Sequence, residues 1–316
     1  MAELVLAADL GGTNLRLGVV DESGAIIART QQSTPNPRDG VAIVDAICKL
    51  AEGLIGEAGP VRMFGIAAPA VIDQSTATVT ASPNIPGLNG MRLAEVVGSR
   101  LSIAATLEND ANAAAVGEHW LGSLAGATNA VCVTLGTGVG GGLILNGKLF
   151  TGADGTAGEI GHICVEPDGV SCECGSRGCL EQYASAAAII RMSELESGRG
   201  VFALGERLTS QSIYEAARGG DQSALQIFNA AGFYIGVALA GIVNALNPEV
   251  ISIGGGVAEA WNLFIHETRR QIDLRAFQQP AKRVKLVRSR LGDNAGLLGA
   301  AKLAFEQIGN AVPTDR

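Results

Sequence analysis

The sequence predicts an α/β protein built of two related domains, and three observations carry that expectation. The chain has 316 residues, about twice the roughly 150 of a single domain. Apolar runs of strand length alternate with segments of helical spacing along it. One pattern also occurs twice: strand, Gly/Thr loop, strand, turn, strand. Leu10-Gly11 matches Leu135-Gly136, and Thr13 matches Thr137 approximately. We read a duplicated fold whose halves, residues 1–123 and 124–316, meet at a cleft.

The elements follow in order. Leu4–Leu10 is a continuous apolar run, the pattern of a buried strand. Asn14–Val20 and Ala25–Thr30 follow, separated by the polar turn Asp21-Glu22-Ser23-Gly24. Val41, Val44, Ile47, Cys48, Ala51 and Leu54 recur at helical spacing. Strands are expected at Val61–Ala67, Thr76–Ala81 and Ile103–Glu108, and helices at Leu93–Leu101 and Ala111–Leu121. The pattern then restarts with Ala130–Leu135 and Val139–Leu145. Asn146-Gly147 is a strong hairpin signal leading into Lys148–Phe150. Helices follow at Gln211–Arg218 and Asp221–Leu246, a strand at Val250–Ile253, a helix at Ala258–Leu274 and a strand at Val284–Val287. The closing helix, 295–310, is expected to pack back on the first domain. Asp221–Leu246 is apolar around much of its circumference, which suits a core helix better than a subunit interface.

Composition narrows the function. Apolar residues make up 47% and charged residues 17%, which is globular rather than disordered. Lysine and arginine number 23 against 31 aspartates and glutamates, a net charge of −8. That balance argues against nucleic-acid binding, which needs a basic surface. The N-terminus lacks the basic start of a signal peptide, and no run of 18 apolar residues is uninterrupted. A cytoplasmic, membrane-free protein with reduced thiols is expected. Cys48 and Cys132 lie in apolar surroundings and read as core residues.

Glycine is abundant at 43 residues and clusters in loops. No G-x-x-x-x-G-K-[ST] loop is present. Gly136 to Gly141 satisfies G-x-G-x-x-G, but a strand and hairpin follow where a dinucleotide fold needs a helix. The remaining reading is hairpin loops whose backbone N–H groups approach phosphates, with Thr13 and Thr137 donating hydroxyls. Asp9 ends its strand beside the first loop and could hold Mg²⁺, usually through water. The bland alternative is that the glycines only shape tight hairpins; two such loops plus Gly254-Gly255-Gly256 weigh against it. These segments resemble the two phosphate motifs and the adenosine motif of the actin, sugar kinase and heat-shock chaperone superfamily. That resemblance implies a two-domain, actin/hexokinase-like (duplicated ribonuclease H-like) fold with ATP in the cleft. It implies nucleotide contacts from Asp9, Gly11, Gly12, Thr13 and Asn14, from Gly136, Thr137 and Gly138, and from Gly254, Gly255 and Gly256.

Glu108-Asn109-Asp110 ends a strand and opens a helix. A carboxylate in a first helical turn is favoured by the helix dipole and by capping. The same position keeps Asp110 ionised, as a general base for phosphoryl transfer must be, with Asn109 beside it to orient a hydroxyl. Farther on, His162, Cys172, Cys174 and Cys179 fall within eighteen residues. One histidine and three cysteines suit a tetrahedral structural Zn²⁺. A redox pair or buried thiols would not explain three cysteines so close together in a reducing compartment.

The same segment resembles the ROK family of sugar kinases and sugar-responsive repressors. The family signature couples E-x-G-H, here Glu159 to His162, to C-x-C-G-x-x-G-C-x-E, here Cys172 to Glu181. The resemblance runs from Asp9 to the last helix. It implies Asp110 as catalytic base and Asn109, Glu159 and Glu181 as sugar ligands. His162 would bind zinc through one ring nitrogen and face the sugar with the other. Asn84 lies in a loop resembling a sugar-proximal family loop. Many relatives carry Gly-Pro-Gly where this chain has Ala68-Pro69-Ala70, and the added methyl groups are expected to narrow the sugar pocket. The implied activity is ATP-dependent phosphorylation of a hexose, with glucose at its 6-hydroxyl first, and N-acetylmannosamine, N-acetylglucosamine, mannose or fructose as alternatives. A sugar-sensing repressor is the distant alternative, disfavoured because Asp9 stands too near the start for a preceding helix-turn-helix. The family further implies a homodimer, with a dimer of dimers as the alternative.

Overall fold

The computed structural model describes residues 3–36, 38–197 and 208–311. In chain order the main elements are β1 (Leu4–Leu10), β2 (Asn14–Asp21), β3 (Ile26–Ser33), α1 (Gly40–Ala58), β4 (Phe64–Ala68), β5 (Val71–Asp73), β6 (Thr78–Ala81), α2 (Leu93–Leu101), β7 (Ala105–Asn109) and α3 (Asp110–Leu121). They continue with β8 (Ala130–Leu135), β9 (Val139–Leu145), β10 (Lys148–Phe150), α4 (Glu181–Ala184), α5 (Ala186–Ser197), α6 (Ser210–Arg218) and α7 (Gln222–Leu246). The last are β11 (Val250–Gly254), α8 (Trp261–Arg275), α9 (Gln278–Arg283), β12 (Lys285–Arg288) and α10 (Ala295–Ala311). The chain divides into two compact units. One holds Met1–Gly126, Gly142–Gly158 and Leu291–Arg316; the other holds Ala127–Gly141 and Glu159–Arg290.

The repeat seen in the sequence reappears as topology. The first sheet runs β3-β2-β1-β4-β7 and the second β10-β9-β8-β11-β12. Each therefore places its first three strands in reverse order and adds two later strands beside the first. In the first sheet β1, β2 and β3 are antiparallel, while β1, β4 and β7 are parallel. β8, β11 and β12 are parallel in the second. Parallel strands need both faces covered, and β1 shows it by alternation. Leu6, Ala8 and Leu10 join a core with Ile43, Ile47 and Phe64 on one face. Val5 and Ala7 join another with Leu297, Leu298 and Ala301.

Register brings functional candidates to one sheet edge. Asp9 is level with Ala67, and Ala68 with Asn109. Asp9, Ala68 and Asn109 thus stand at the carboxyl ends of three adjacent parallel strands, where ligands of open α/β sheets bind. Asp9 also faces Arg16 across the β1–β2 ladder.

Differences from the sequence reading are local. One helix was expected over 258–274, but the structure has a 3-10 turn, Gly256–Ala260, and then α8. The turn forms because Ala258 N–H donates to Gly255 O at 3.0 Å, an i to i−3 bond. Helices α4, α5 and α9 and strand β5 were not anticipated; α4, α9 and β5 are shorter than two helical turns or four strand residues. Helix α7 is long and apolar enough to cross a membrane by length and composition alone. Most of its apolar residues are buried in the protein, and Thr268 of α8 donates its hydroxyl to Gly232 O at 3.0 Å.

Helices α3 and α10 approach closely through glycine. A methyl group at Gly299 would lie 1.7 Å from Ala113 O, and one at Gly117 2.2 Å from Ala295 O. Backbone cannot yield there as a flexible side chain could. Gly299→Ala should therefore destabilise the protein by about 1–3 kcal/mol. A fall in the urea midpoint checks this; an unchanged midpoint would refute the contact.

Candidate functional site

The first unit carries a carboxylate at each of two strand ends. Asp9 closes β1 just before the first glycine loop, which Gly11 N–H shapes by donating to Asn14 O at 2.8 Å. Arg16 Nη1 stands 3.3 Å from Asp9 Oδ2, and its Nη2 stands 2.9 Å from Asp293 Oδ2. A methyl group at Gly296, in the first turn of α10, would lie 2.8 Å from Asp9 Oδ1. Burial pushes the Asp9 carboxyl above its ordinary value, against the pull of Arg16. Gly12 and Thr13 complete the loop, and Thr13 is exposed. Asn84 lies against this loop, its Cβ 3.7 Å from where a Gly12 methyl would be.

At the end of β7, Asn109 and Asp110 divide the helix start between them. Asn109 is the N-cap of α3: its Oδ1 accepts from Ala111 N–H at 2.9 Å and Asn112 N–H at 3.1 Å. Its Nδ2 donates to Ala70 O at 3.2 Å. Asp110 is the first helical residue, and its Oδ1 accepts from Ala111 N–H at 2.9 Å. The capping that residue types alone assign to Asp110 therefore falls mainly to its neighbour. Behind them sits Glu108, a buried carboxyl that the sequence reading passed over. Its Oε1 accepts from Asn109 N–H at 2.9 Å and from Asn112 Nδ2 at 3.0 Å. Burial raises its pKa against those bonds. Ala68 and Ala70 send their methyl groups into the core, so they do not narrow a pocket as expected. The Ala70 carbonyl instead anchors Asn109.

The second unit carries the other glycine loops and the cysteine cluster. Gly136 N–H donates to Gly138 O at 2.9 Å, so this loop closes on itself much as the first does. Thr137 is exposed at its tip. Glu181, at the start of α4, lies against the loop: its Oε2 accepts from Val139 N–H at 2.9 Å. A methyl group at Gly138 would sit 2.3 Å from the same oxygen, so a side chain there would displace the Glu181 carboxylate. The third loop, Gly254-Gly255-Gly256, packs on the end of β8, with Gly255 at φ +86°. Gly256 opens onto a small, partly open pocket walled by Ile189, Tyr214, Phe228 and Val257. Those four residues escaped the sequence reading, because they come from four separate elements that meet only in the fold.

His162, Cys172, Cys174 and Cys179 do converge. Their ligand atoms all lie within 4.8 Å of one another. Cys172 Sγ is 3.8 Å from His162 Nδ1, and Cys174 Sγ is 3.7 Å from Cys179 Sγ. A tetrahedron with arms of about 2.3 Å has edges of about 3.8 Å, so the donor set fits a zinc ion in both chemistry and size. Burial and the neighbouring sulfurs push the Cys179 thiol up to about 12, while the Ser176 N–H lowers that of Cys174. A coordinated dication would hold the sulfurs bound to it as thiolates. The other ring nitrogen of His162, Nε2, turns to Glu159 Oε2 at 3.9 Å.

Two sheets that repeat one strand order, with glycine loops at strand ends, define a two-domain protein of the actin- and hexokinase-like class. Comparison with known proteins agrees and narrows it. The ROK family pattern matches residues 5–307. The glucokinase of Thermotoga maritima is 36% identical over 320 residues, covering 96% of this chain and 98% of the relative. A ROK family glucokinase from Streptomyces griseus, solved with glucose and AMPPNP, superposes with a TM-score of 0.84 at 36% identity, covering 96% and 99% of the two chains. The ROK hexokinase of Thermus thermophilus gives 0.83 at 31%, covering 98% and 100%. The chain belongs to the ROK family.

The Asp9 environment makes a pH prediction. A carboxyl whose pKa is raised by folding contributes stability in full below its ordinary value of 3.8 and loses it as pH climbs through the raised value. Asp9→Asn carries no such charge and leaves Arg16 its Asp293 partner. Its unfolding free energy should therefore gain on the wild type as pH rises from about 4 to 7. Urea titrations at the two pH values, without nucleotide or Mg²⁺, test this; a difference that moves the other way overturns it.

Proposed function

We infer that the protein is an ATP-dependent glucokinase that transfers the γ-phosphoryl group of ATP to the 6-hydroxyl of glucose. The single observation that carries the reading is the row of strand ends in the first sheet. It sets Asp9 beside a phosphate-type glycine loop and Asp110 at the head of α3, on parallel strands in register. Similarity to glucokinases over nearly the full length of both chains supports the same activity.

Asp110 is the general base in this reading. It accepts the proton of the sugar hydroxyl as that oxygen attacks the γ-phosphorus in line. The Ala111 N–H bond and the Asn109 cap hold its carboxylate in one orientation before substrate arrives. Asn109, Glu159, Glu181 and the Nε2 of His162 are assigned to the sugar hydroxyls, with Asn84 as a further contact. Gly11 and Gly136 close the two loops with their own N–H groups, and the N–H and hydroxyl donors for the phosphates are assigned to Gly12, Thr13 and Asn14, with Thr137 and Gly138. The adenine is assigned to the pocket beside Gly256, where Tyr214 and Phe228 supply aromatic walls. Asp9, partly exposed and with hard oxygen donors, would hold Mg²⁺ through water, and the ion would offset charge on the transferring group. His162, Cys172, Cys174 and Cys179 would hold Zn²⁺, which stiffens a loop with little core of its own. We assign no nucleic-acid or membrane partner to the acidic chain, and a homodimer as the assembly family likeness favours.

ADP release with Mg-ATP tests the reading against glucose, mannose, fructose, N-acetylglucosamine and N-acetylmannosamine. The highest kcat/KM should be for glucose; preference for an N-acetyl sugar would reassign the substrate, and silence on all five would end the kinase reading. Asp110→Asn should lower kcat by at least about 10²–10⁴-fold while glucose Kd stays within a few-fold. Cys174→Ser should lose zinc by elemental analysis and weaken glucose binding. A zinc-free, fully active variant would contradict the structural role.

A further inference from the structure

Six cysteines are present, and the zinc reading uses three of them. Cys48 and Cys132 are buried in apolar surroundings, but Cys164 is exposed and lies next to the cluster. Its position is defined by backbone pairing. Residues 163–165 and 178–180 form a short antiparallel ribbon in which Cys164 stands directly opposite Cys179. Val165 N–H donates to Gly178 O at 2.7 Å, and Leu180 N–H donates to Ile163 O at 2.9 Å. These bonds flank the Cys164–Cys179 pair and do not join it, so it is a non-hydrogen-bonded pair. In that type of pair the Cα atoms approach to about 4.5 Å and the side chains leave the ribbon on the same face. A disulfide needs Cα atoms about 4.4–6.8 Å apart. The ribbon therefore holds the two cysteines at bonding separation without backbone movement, while Cys179 belongs to the four-residue ligand set.

We propose that Cys164 and Cys179 are a reversible disulfide site, and that closing it removes one ligand from the metal cluster. The oxidant is a peroxide. The exposed Cys164 thiolate attacks one peroxide oxygen, breaking the O–O bond; it becomes a sulfenic acid, and the leaving oxygen takes a proton and departs as water or alcohol. The Cys179 sulfur then attacks the sulfenic sulfur, the S–S bond forms, and hydroxide leaves and is protonated to water. Two thiols are oxidised by two electrons in all, and one peroxide is reduced. A dithiol reductant reverses the change. Exposure orders the steps: Cys164 meets the oxidant, and Cys179, fully buried, acts only on its neighbour. With Cys179 oxidised, His162, Cys172 and Cys174 are left as three ligands for an ion that a structural site holds with four. The disulfide rests on the ribbon alone; only its effect on the metal rests on the zinc reading above.

The test uses the full-length protein, its zinc content first measured by elemental analysis. It is then treated with hydrogen peroxide while a chromogenic chelator reads released zinc, and non-reducing peptide mapping reads the linkage. The expected result is a peptide pair joined through Cys164 and Cys179, with zinc release and return of both thiols on adding dithiothreitol. Cys164→Ser should bind zinc and glucose as the wild type does, lose the linked peptide, and release zinc about tenfold more slowly or less. A variant releasing zinc at the wild-type rate, or a linkage among Cys172, Cys174 and Cys179 that omits Cys164, overturns the proposal. Protein purified without zinc that still forms the Cys164–Cys179 link would fail the zinc reading and leave the disulfide site standing.

Discussion

The close approach of α10 to α3 is the contact on which the first unit depends. With Gly117 and Gly299 at the crossing, backbone meets backbone, and no side chain separates the helices. That approach seats the first turn of α10 against the Asp9 carboxylate through Gly296. It also positions α3, whose first residue is Asp110. At the other end of α3, buried Glu118 accepts from Ser123 N–H at 2.6 Å and from Leu291 N–H at 2.8 Å. This fully buried side chain has both carboxyl oxygens hydrogen-bonded, as a buried polar group requires. The chain thus begins and ends the first unit around one helix pair, and both carboxylates at the strand ends take their places from it.

Much of this was legible in the sequence, for definite reasons. Buried parallel strands must be apolar throughout, so β1, β8 and β11 stand out as runs. The repeated order of strand, Gly/Thr loop and strand survives because each half solves the same backbone problem. The metal-type cluster could be read because ligand chemistry restricts it to a few residue types, and His162 and Cys179 lie within one short segment. What failed to show has physical causes too. The walls of the pocket beside Gly256 are Ile189, Tyr214, Phe228 and Val257. As apolar residues in helices they look like any other core positions. Glu108 carried no signal, since a carboxylate before a helix gives no sign of whether it is solvated or buried. Ala68 and Ala70 misled, because a sequence shows that a methyl group is present and not which way it points.

The site is held mostly by backbone. Asn109, the strongest candidate for a sugar contact by its place, spends its side-chain oxygen on two helix N–H groups and an amide N–H on a carbonyl. Glu181 spends one oxygen on Val139 N–H. Such bonds leave few alternatives for each group, which is the preorganisation that phosphoryl transfer relies on when there is little covalent chemistry to perform.

The repeated strand order has an uneven consequence. Aligning Leu10-Gly11 with Leu135-Gly136 sets Asp9 against Thr134, so one copy of the ancestral hairpin bears a negative charge before its loop and the other a neutral hydroxyl. A triphosphate is itself a polyanion, and a second carboxylate at the matching place would repel it without adding a function the first lacks. The two halves keep a closed glycine loop and differ in the charge of the residue before it, Asp9 in one and Thr134 in the other.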